Sequence, residues 1–251
     1  MGPILFYKNL GETPLEAIER FRLINPLYKN VPMTYAGRLD PAATGLLVLL
    51  GGDLCKEKDL YTSLPKTYEV SMLFGFNTDS YDLLGITNIS KNSNKISEED
   101  IKNELQKIFT NTPITLNQKY PIFSSKTIKG KSLISLARAG IEITRPRHKV
   151  ELYSGYLKTI KKVSNIEIEN RVAEICGLVK GDFRQEETLR SWRNILKNWG
   201  HFTIATFEIK VGSGFYVRTF ADDIGKKLKT GAVVYSLNRI TVGEYGIENA
   251  L

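Results

Sequence analysis

Apolar and polar positions alternate in short stretches of period two, interrupted by a few segments of helical period. Thr13-Pro14-Leu15-Glu16 reads as a helix start, with Thr13 as cap, Pro14 at the first position and Glu16 completing a capping box. That helix is predicted to run to about Leu23, with Leu15, Ile18 and Leu23 turned inward. Tyr68–Phe76 alternates as a strand, and 77–85 is rich in turn residues. Ser97 opens a second helix, whose Ile101, Leu105, Ile108 and Phe109 form one stripe. A short basic helix is predicted over Lys131–Ala139, stopped by Gly140. Glu186–Asn198 spaces Leu189, Trp192 and Leu196 along one helical face. His201–Lys210 reads as a strand, and 218–229 as a helix closing before Gly231. This mixture predicts an α+β domain spanning 1–251, without repeats or flexible linkers.

Composition changes this picture in one respect. The hydrophobic share of 42% and charged share of 25% are those of an ordinary globular chain. The excess of 35 Lys+Arg over 27 Asp+Glu is unevenly placed. Residues 119–150 carry Lys119, Lys126, Lys129, Lys131, Arg138, Arg145, Arg147 and Lys149 against the acid Glu142. A stripe of one sign is the electrostatic footprint of a phosphate backbone. Cys55 and Cys176 have no paired or metal-ligand spacing, and two reduced thiols in a cytoplasmic protein are expected. The start lacks the pattern of a signal peptide, and no apolar run is long enough to cross a bilayer. Neither His148 nor His201 belongs to a ligand constellation, so no metal is expected.

The candidate chemistry centres on Asp40. It lies in Gly37-Arg38-Leu39-Asp40-Pro41, directly before the apolar run from Ala43 to Leu50. A reactive carboxylate needs a partner that orients it in a dry site. Arg218 follows a glycine-containing stretch and sits among Val217, Phe220 and Ala221, where a guanidinium is costly unless a carboxylate meets it. Spacing leaves two partners open: Asp222, four residues on, or Asp40. Asp79 and Asp82, within a turn, read as structural or RNA-adjacent.

Gly37-Arg38-Leu39-Asp40-Pro41-x-x-Thr44-Gly45-Leu46-Leu47 resembles the catalytic-Asp motif of pseudouridine synthases, most closely the TruB-type tRNA enzymes. Ser213, Gly214, Tyr216, Arg218, Asp222 and Gly225 match a second family segment, continued by Gly231, Ala232, Leu237, Arg239 and Gly243. Lys66-Thr67-Tyr68-Glu69 with Gly75, Thr78, Asp79, Asp82 and Gly85 is a third. Pro121, Phe123, Ser124, Gly130, Ala137, Arg138 and Gly140 resemble the family's RNA-gripping arm, and the basic stripe falls there. The four motifs occur in family order from about residue 5 to 249.

The resemblance implies a pseudouridine synthase catalytic fold, a mixed and largely antiparallel sheet flanked by helices. It implies a catalytic set of Asp40, Arg218 and Tyr68, with Arg218 fixing Asp40 and keeping it ionised. Substrate contacts are implied for Tyr35, Arg38, Phe123 and Leu237. RNA contacts are implied for Lys126, Lys129, Lys131, Arg138, Arg145 and Arg147. The implied reaction is isomerisation of uridine to pseudouridine, at position 55 in the T loop of tRNA, without cofactor, metal or guide RNA. Alternatives are an rRNA synthase, since Gly-Arg-Leu-Asp also occurs in RsuA-type enzymes, and a non-catalytic tRNA-binding or folding module.

Some positions depart from the pattern. Thr34-Tyr35 replaces the family's Gly-His, Arg38 a commoner Thr or Ala, Phe123 a Tyr and Asn9 a Pro. The sequence stops at Leu251, where many relatives continue into a small RNA-binding domain, so a truncated form is expected. A monomer is expected because each motif set is complete in one chain. The segment Gly181-Asp182-Phe183-Arg184-Gln185 reads as a turn before a helix, with no assigned role.

Overall fold

The computed structural model describes residues 2–89, 96–128, 130–141, 144–197 and 200–251. Its centre is a nine-stranded sheet. The strands in chain order are β1 (Ile4–Lys8), β2 (Met33–Ala36), β3 (Ala43–Gly51), β4 (Lys66–Phe74), β5 (Phe76–Thr78), β6 (Thr87–Ile89), β7 (Ile114–Lys119), β8 (Thr127–Ile128), β9 (Lys131–Ser132), β10 (Arg147–Ser164), β11 (His201–Val211), β12 (Ala232–Val242) and β13 (Tyr245–Gly246). The helices are α1 (Pro14–Ile24), α2 (Lys58–Ser63), α3 (Glu98–Thr110), α4 (Leu133–Arg138), α5 (Asn165–Leu178), α6 (Gln185–Leu196) and α7 (Val217–Lys227). The main path of the sheet is β1-β3-β12-β4-β11-β10-β7, with β2 added on β3 and β13 on β12. Among the described strands of this sheet, β3 and β12 pair in parallel and the other pairs are antiparallel.

The apolar run after Asp40 becomes β3, which is covered on both faces, so continuous hydrophobicity replaces alternation. Leu47 and Leu49 pack with Phe6, Ile18 and Phe21, while Leu46, Val48 and Leu50 pack with Ala36 and Val242. Gly45 has φ +107, and a Cβ there would lie 2.4 Å from the carbonyl oxygen of Arg239. The parallel contact Gly45↔Arg239 therefore requires glycine. A larger core joins Tyr68, Val70 and Met72 of β4 to α3 and α7. A further cluster packs α5 and α6 against Leu73, Phe76 and Val233.

Helix α1 has the predicted capping box, with the Thr13 hydroxyl accepting from the Glu16 N–H at 3.3 Å and Glu16 accepting from the Thr13 N–H at 2.7 Å. Thr13→Ala is expected to cost about 1 kcal/mol, measured by urea unfolding. The inward face of α1 differs from expectation. Pro14, Ala17, Ile18 and Phe21 are buried, whereas Leu15 and Leu23 are 65% and 83% exposed. Phe21 and Phe6 meet edge-on, and that contact sets the rotation of the helix. The strand expected over 68–76 is broken at Gly75, where φ is +105, and the chain restarts as β5. The predicted basic helix is shortened to α4 because Lys131 and Ser132 form β9.

Candidate active site

Asp40 sits in the loop between β2 and β3. Its carbonyl accepts from the Ala43 N–H at 3.0 Å, which closes a turn across Pro41. Gly37, at φ +75, lets the chain reverse ahead of it. The Gly37 carbonyl is gripped by both terminal nitrogens of Arg239, each at 3.2 Å. Arg239 is fully buried on β12, and its Nε also donates to the Leu46 carbonyl at 2.7 Å. One inward guanidinium thus ties the Asp40 loop to the sheet.

The opposite wall comes from α7. Arg218 Nε donates to Asp40 Oδ2 at 2.7 Å, while its terminal nitrogens donate to the Ser80 carbonyl at 2.9 Å and the Phe123 carbonyl at 3.1 Å. The Arg218 side chain is 7% exposed and that of Asp40 35%. Of the two partners left open by spacing, the structure pairs Arg218 with Asp40. Asp222 instead pairs with Lys226, one helical turn on. Burial alone would lower the Arg218 guanidinium, but the carboxylates of Asp40 and Asp82 hold it above its ordinary value.

Asp82 is the second acid here. It is buried rather than merely part of a turn, with Oδ2 3.8 Å from Arg218 Nε. Its Oδ1 accepts from the Leu84 N–H at 3.1 Å and from the Ser80 hydroxyl. Desolvation pushes its carboxyl up from 3.8 to about 6, against the pull of Arg218 and Ser80. A group protonated more readily in the folded chain lowers stability as pH rises. Here the loss begins near 4, is complete just above 6, and is on the order of 3 kcal/mol. Asp82→Asn removes that titration. The stability difference between variant and wild type should shift toward the variant between pH 4 and 6, read by urea unfolding at each pH.

These groups line a cleft of about 680 Å³. Tyr68 of β4, Leu237 of β12, Tyr35 of β2, Arg38 of the β2–β3 connection, and Phe123 all reach it. Tyr68 is 8% exposed, at the register position beside Arg239. Arg38 donates to the Tyr35 hydroxyl at 3.3 Å. The cleft is thus a mostly apolar wall around two carboxylates that share the Arg218 guanidinium, a setting in which electrostatic interactions are strong.

The basic segment is brought to the same side, but its residues differ in availability. Lys126 and Lys131 are exposed, with the Lys126 ammonium 5.1 Å from the centre of the Tyr120 ring. Arg145 is half-buried and donates to the Tyr81 hydroxyl at 3.0 Å and the Tyr120 carbonyl at 3.3 Å. Arg147 donates to the Asn117 carbonyl at 2.6 Å. Lys129 and the side chain of Arg138 lie outside the described residues. His148 stacks on Tyr120 at 4.0 Å and bonds the Gly214 carbonyl, a packing role. Among the described residues no His/Cys/Asp/Glu cluster could hold a metal ion, and no helix is long and apolar enough to cross a membrane.

The family described as "TruB family pseudouridylate synthase (N terminal domain)" matches residues 27–177, which include Asp40 and the arm. The chain belongs to the TruB family. A protein named tRNA pseudouridine synthase B from Caldicellulosiruptor saccharolyticus is 30% identical over 99% of this chain and 70% of its own length. One of the same name from Endomicrobium trichonymphae is 31% identical over all of this chain and 88% of its own length. Among solved structures, a Cbf5–Nop10–Gar1 complex superposes with TM-score 0.57 at 15% identity, covering 97% of this chain. An H/ACA ribonucleoprotein bound to a substrate RNA containing 2'-deoxyuridine gives TM-score 0.56 at 15% identity over 98% of this chain. This chain spans about half of those solved chains, and the likeness shows a shared TruB-type fold.

Asp82, Arg239 and Arg184, at or beside the TruB-type cleft, were not singled out as site residues from the sequence. Asp82 reads there as structural or RNA-adjacent, Arg239 as a motif position without a task, and Arg184 has no role. The signal for Asp82 was available in principle, because it is a charge directly followed by Leu83 and Leu84. Arg184 gave none, since its partner Asp79 is more than a hundred residues away.

Proposed function

We propose that this protein converts uridine to pseudouridine in structured RNA, with the T loop of tRNA as substrate and Asp40 as the catalytic carboxylate. The observation that carries the reading is the Asp40–Arg218 pair at the base of a cleft walled by Tyr68 and Leu237, beside a basic arm. The relatives' name, tRNA pseudouridine synthase B, supports the choice of RNA. The uridine must leave its stack to reach Asp40, which costs a few kcal/mol. Exposed Lys126 and Lys131 would offset part of that by contacting phosphates.

In the reaction the bond from uracil nitrogen to the sugar carbon breaks with Asp40 adjacent. The base turns within the cleft, and a bond from its ring carbon to the same sugar carbon forms. The proton displaced from that carbon leaves, and the freed nitrogen ends protonated, so product and substrate are isomers. Arg218 holds the Asp40 carboxylate toward the cleft, while Tyr68 and Leu237 confine the loose base. The test is unmodified T stem-loop RNA with wild-type protein, without added metal or cofactor, pseudouridine being mapped by chemical labelling. Product at the T-loop uridine is expected. Tight, salt-sensitive binding without product, or product only in rRNA fragments, would overturn the assignment of substrate.

A further inference from the structure

β10 and β11 are antiparallel neighbours that a tight turn could join, yet their connection runs through α5 and α6. The turn between these helices, residues 179–184, reaches the cleft, where Asp182, Phe183 and Arg184 form part of the rim. Arg184 is the side chain to explain. Its guanidinium lies 4.8 Å from the centre of the Phe123 ring. It meets Asp79 with two nitrogens, at 2.6 and 3.2 Å. Its backbone is left-handed, φ +58, and its N–H is held by Asp182 Oδ1 at 3.1 Å. The Gln185 side chain braces the turn through Phe183, Val179 and Gly181.

An anchor for the helices does not require this pair. The fully buried Trp192 of α6 donates to the Gly85 carbonyl at 3.2 Å, and the Thr188 hydroxyl to the Leu84 carbonyl at 3.0 Å. Arg184 and Asp79 are 33% and 37% exposed, where an ion pair contributes little to stability. What the pair provides is a guanidinium fork, stacked and aimed, at the lip of a cleft with Asp40 at its base. A carboxylate and a phosphate present the same paired oxygens to such a fork.

We infer that Arg184 binds a backbone phosphate next to the target uridine, with Asp79 occupying the fork until RNA arrives. The inference rests on the reading of this cleft as an RNA uridine site. It also assigns Asp79 a competitive role, so the two partners have opposite effects on RNA affinity. Stacking on Phe123 keeps the fork oriented during the exchange.

The test measures binding of T stem-loop RNA over a salt series for wild type, Arg184→Gln and Asp79→Asn, with thermal unfolding of each and pseudouridine formation by wild type. Asn at 79 keeps an oxygen for the Ile86 N–H, which Asp79 now bonds at 3.1 Å. Arg184→Gln should weaken binding about tenfold and reduce the slope of log affinity against log salt by about one. Asp79→Asn should tighten binding, by roughly threefold at low salt. An unchanged slope for Arg184→Gln, or equal weakening by both variants, would overturn the phosphate contact. Wild type that binds with normal slope but forms no pseudouridine would instead overturn the proposed function, while the Arg184 slope still decides this inference. No binding by wild type would overturn both.

Discussion

Asp40→Asn is expected to reduce pseudouridine formation by at least ~10³-fold while leaving T stem-loop affinity within a few-fold. An amide can neither attack the sugar nor take a proton from it. Its oxygen can still accept from Arg218 Nε, now at 2.7 Å, so the cleft should keep its shape. The charge change falls at the cleft base rather than on the exposed lysines of the arm, which is why binding should persist. Single-turnover rates with excess enzyme isolate the chemical step, and thermal unfolding checks the fold. A variant retaining more than a few per cent of the rate would mean that another group, with Asp82 the nearest acid across Arg218, carries the reaction. If the protein also helps tRNA refold, Asp40→Asn should leave that rate unchanged.

Arg218→Met is expected to be the most damaging substitution for the fold and the site together. One side chain ties the Asp40 loop, the Ser80 turn and the root of the arm at Phe123 to α7. Without it Asp82 is a buried carboxylate lacking its cation, and the Ser80 and Phe123 carbonyls lose a donor. Removing one member of a buried pair typically costs about 3–5 kcal/mol. The cost should be smaller below pH 6, where Asp82, with its carboxyl near 6, takes up a proton and no longer needs the cation. Arg218→Lys keeps the charge without the fork, so it should recover part of the stability but little of the activity. Urea unfolding at pH 5 and pH 7.5 with single-turnover rates reads both effects. A cost that is the same at both pH values would refute the coupling to Asp82.

Two helices with a clean apolar stripe were legible in the sequence, α3 with a cap and α6 without one. α3 begins after Ser97 and buries Ile101, Leu105 and Phe109, as its periodicity required. α6 buries Trp192 and Leu196 and starts one residue earlier than expected. Several elements were not legible, among them the central strand β12, helix α5 and strand β10. α5 has a capping box at Ser164 and Glu167 and buries Ile168, Val172 and Ile175, but the exposed Ile166 and Leu178 blur its apolar face. β10 runs Arg147–Ser164 with much of its length exposed, so period-two alternation is diluted. Local propensity was also a poor guide to the rotation of α1, because the aromatic contact with β1 comes from another part of the chain.

At the site the division is physical as well. The chain order of Asp40, Tyr68 and Arg218, the glycines around them and the basic segment are local chemistry, written in residue types and short spacings. They determined the family, the core of the sheet and the identity of the carboxylate and guanidinium worth testing. Pairing is different, because a charge buried from water must find its partner in space rather than in sequence. For Arg218, spacing left Asp222 and Asp40 open and the resemblance implied Asp40; only tertiary structure made that contact, brought Asp82 into the same desolvated pocket, sent Arg145 inward to Tyr81, and set Arg184 against Asp79 at the rim. Those choices follow from how a largely antiparallel sheet with helices in its connections closes its core, and side-chain spacing along the chain carries no record of that closure.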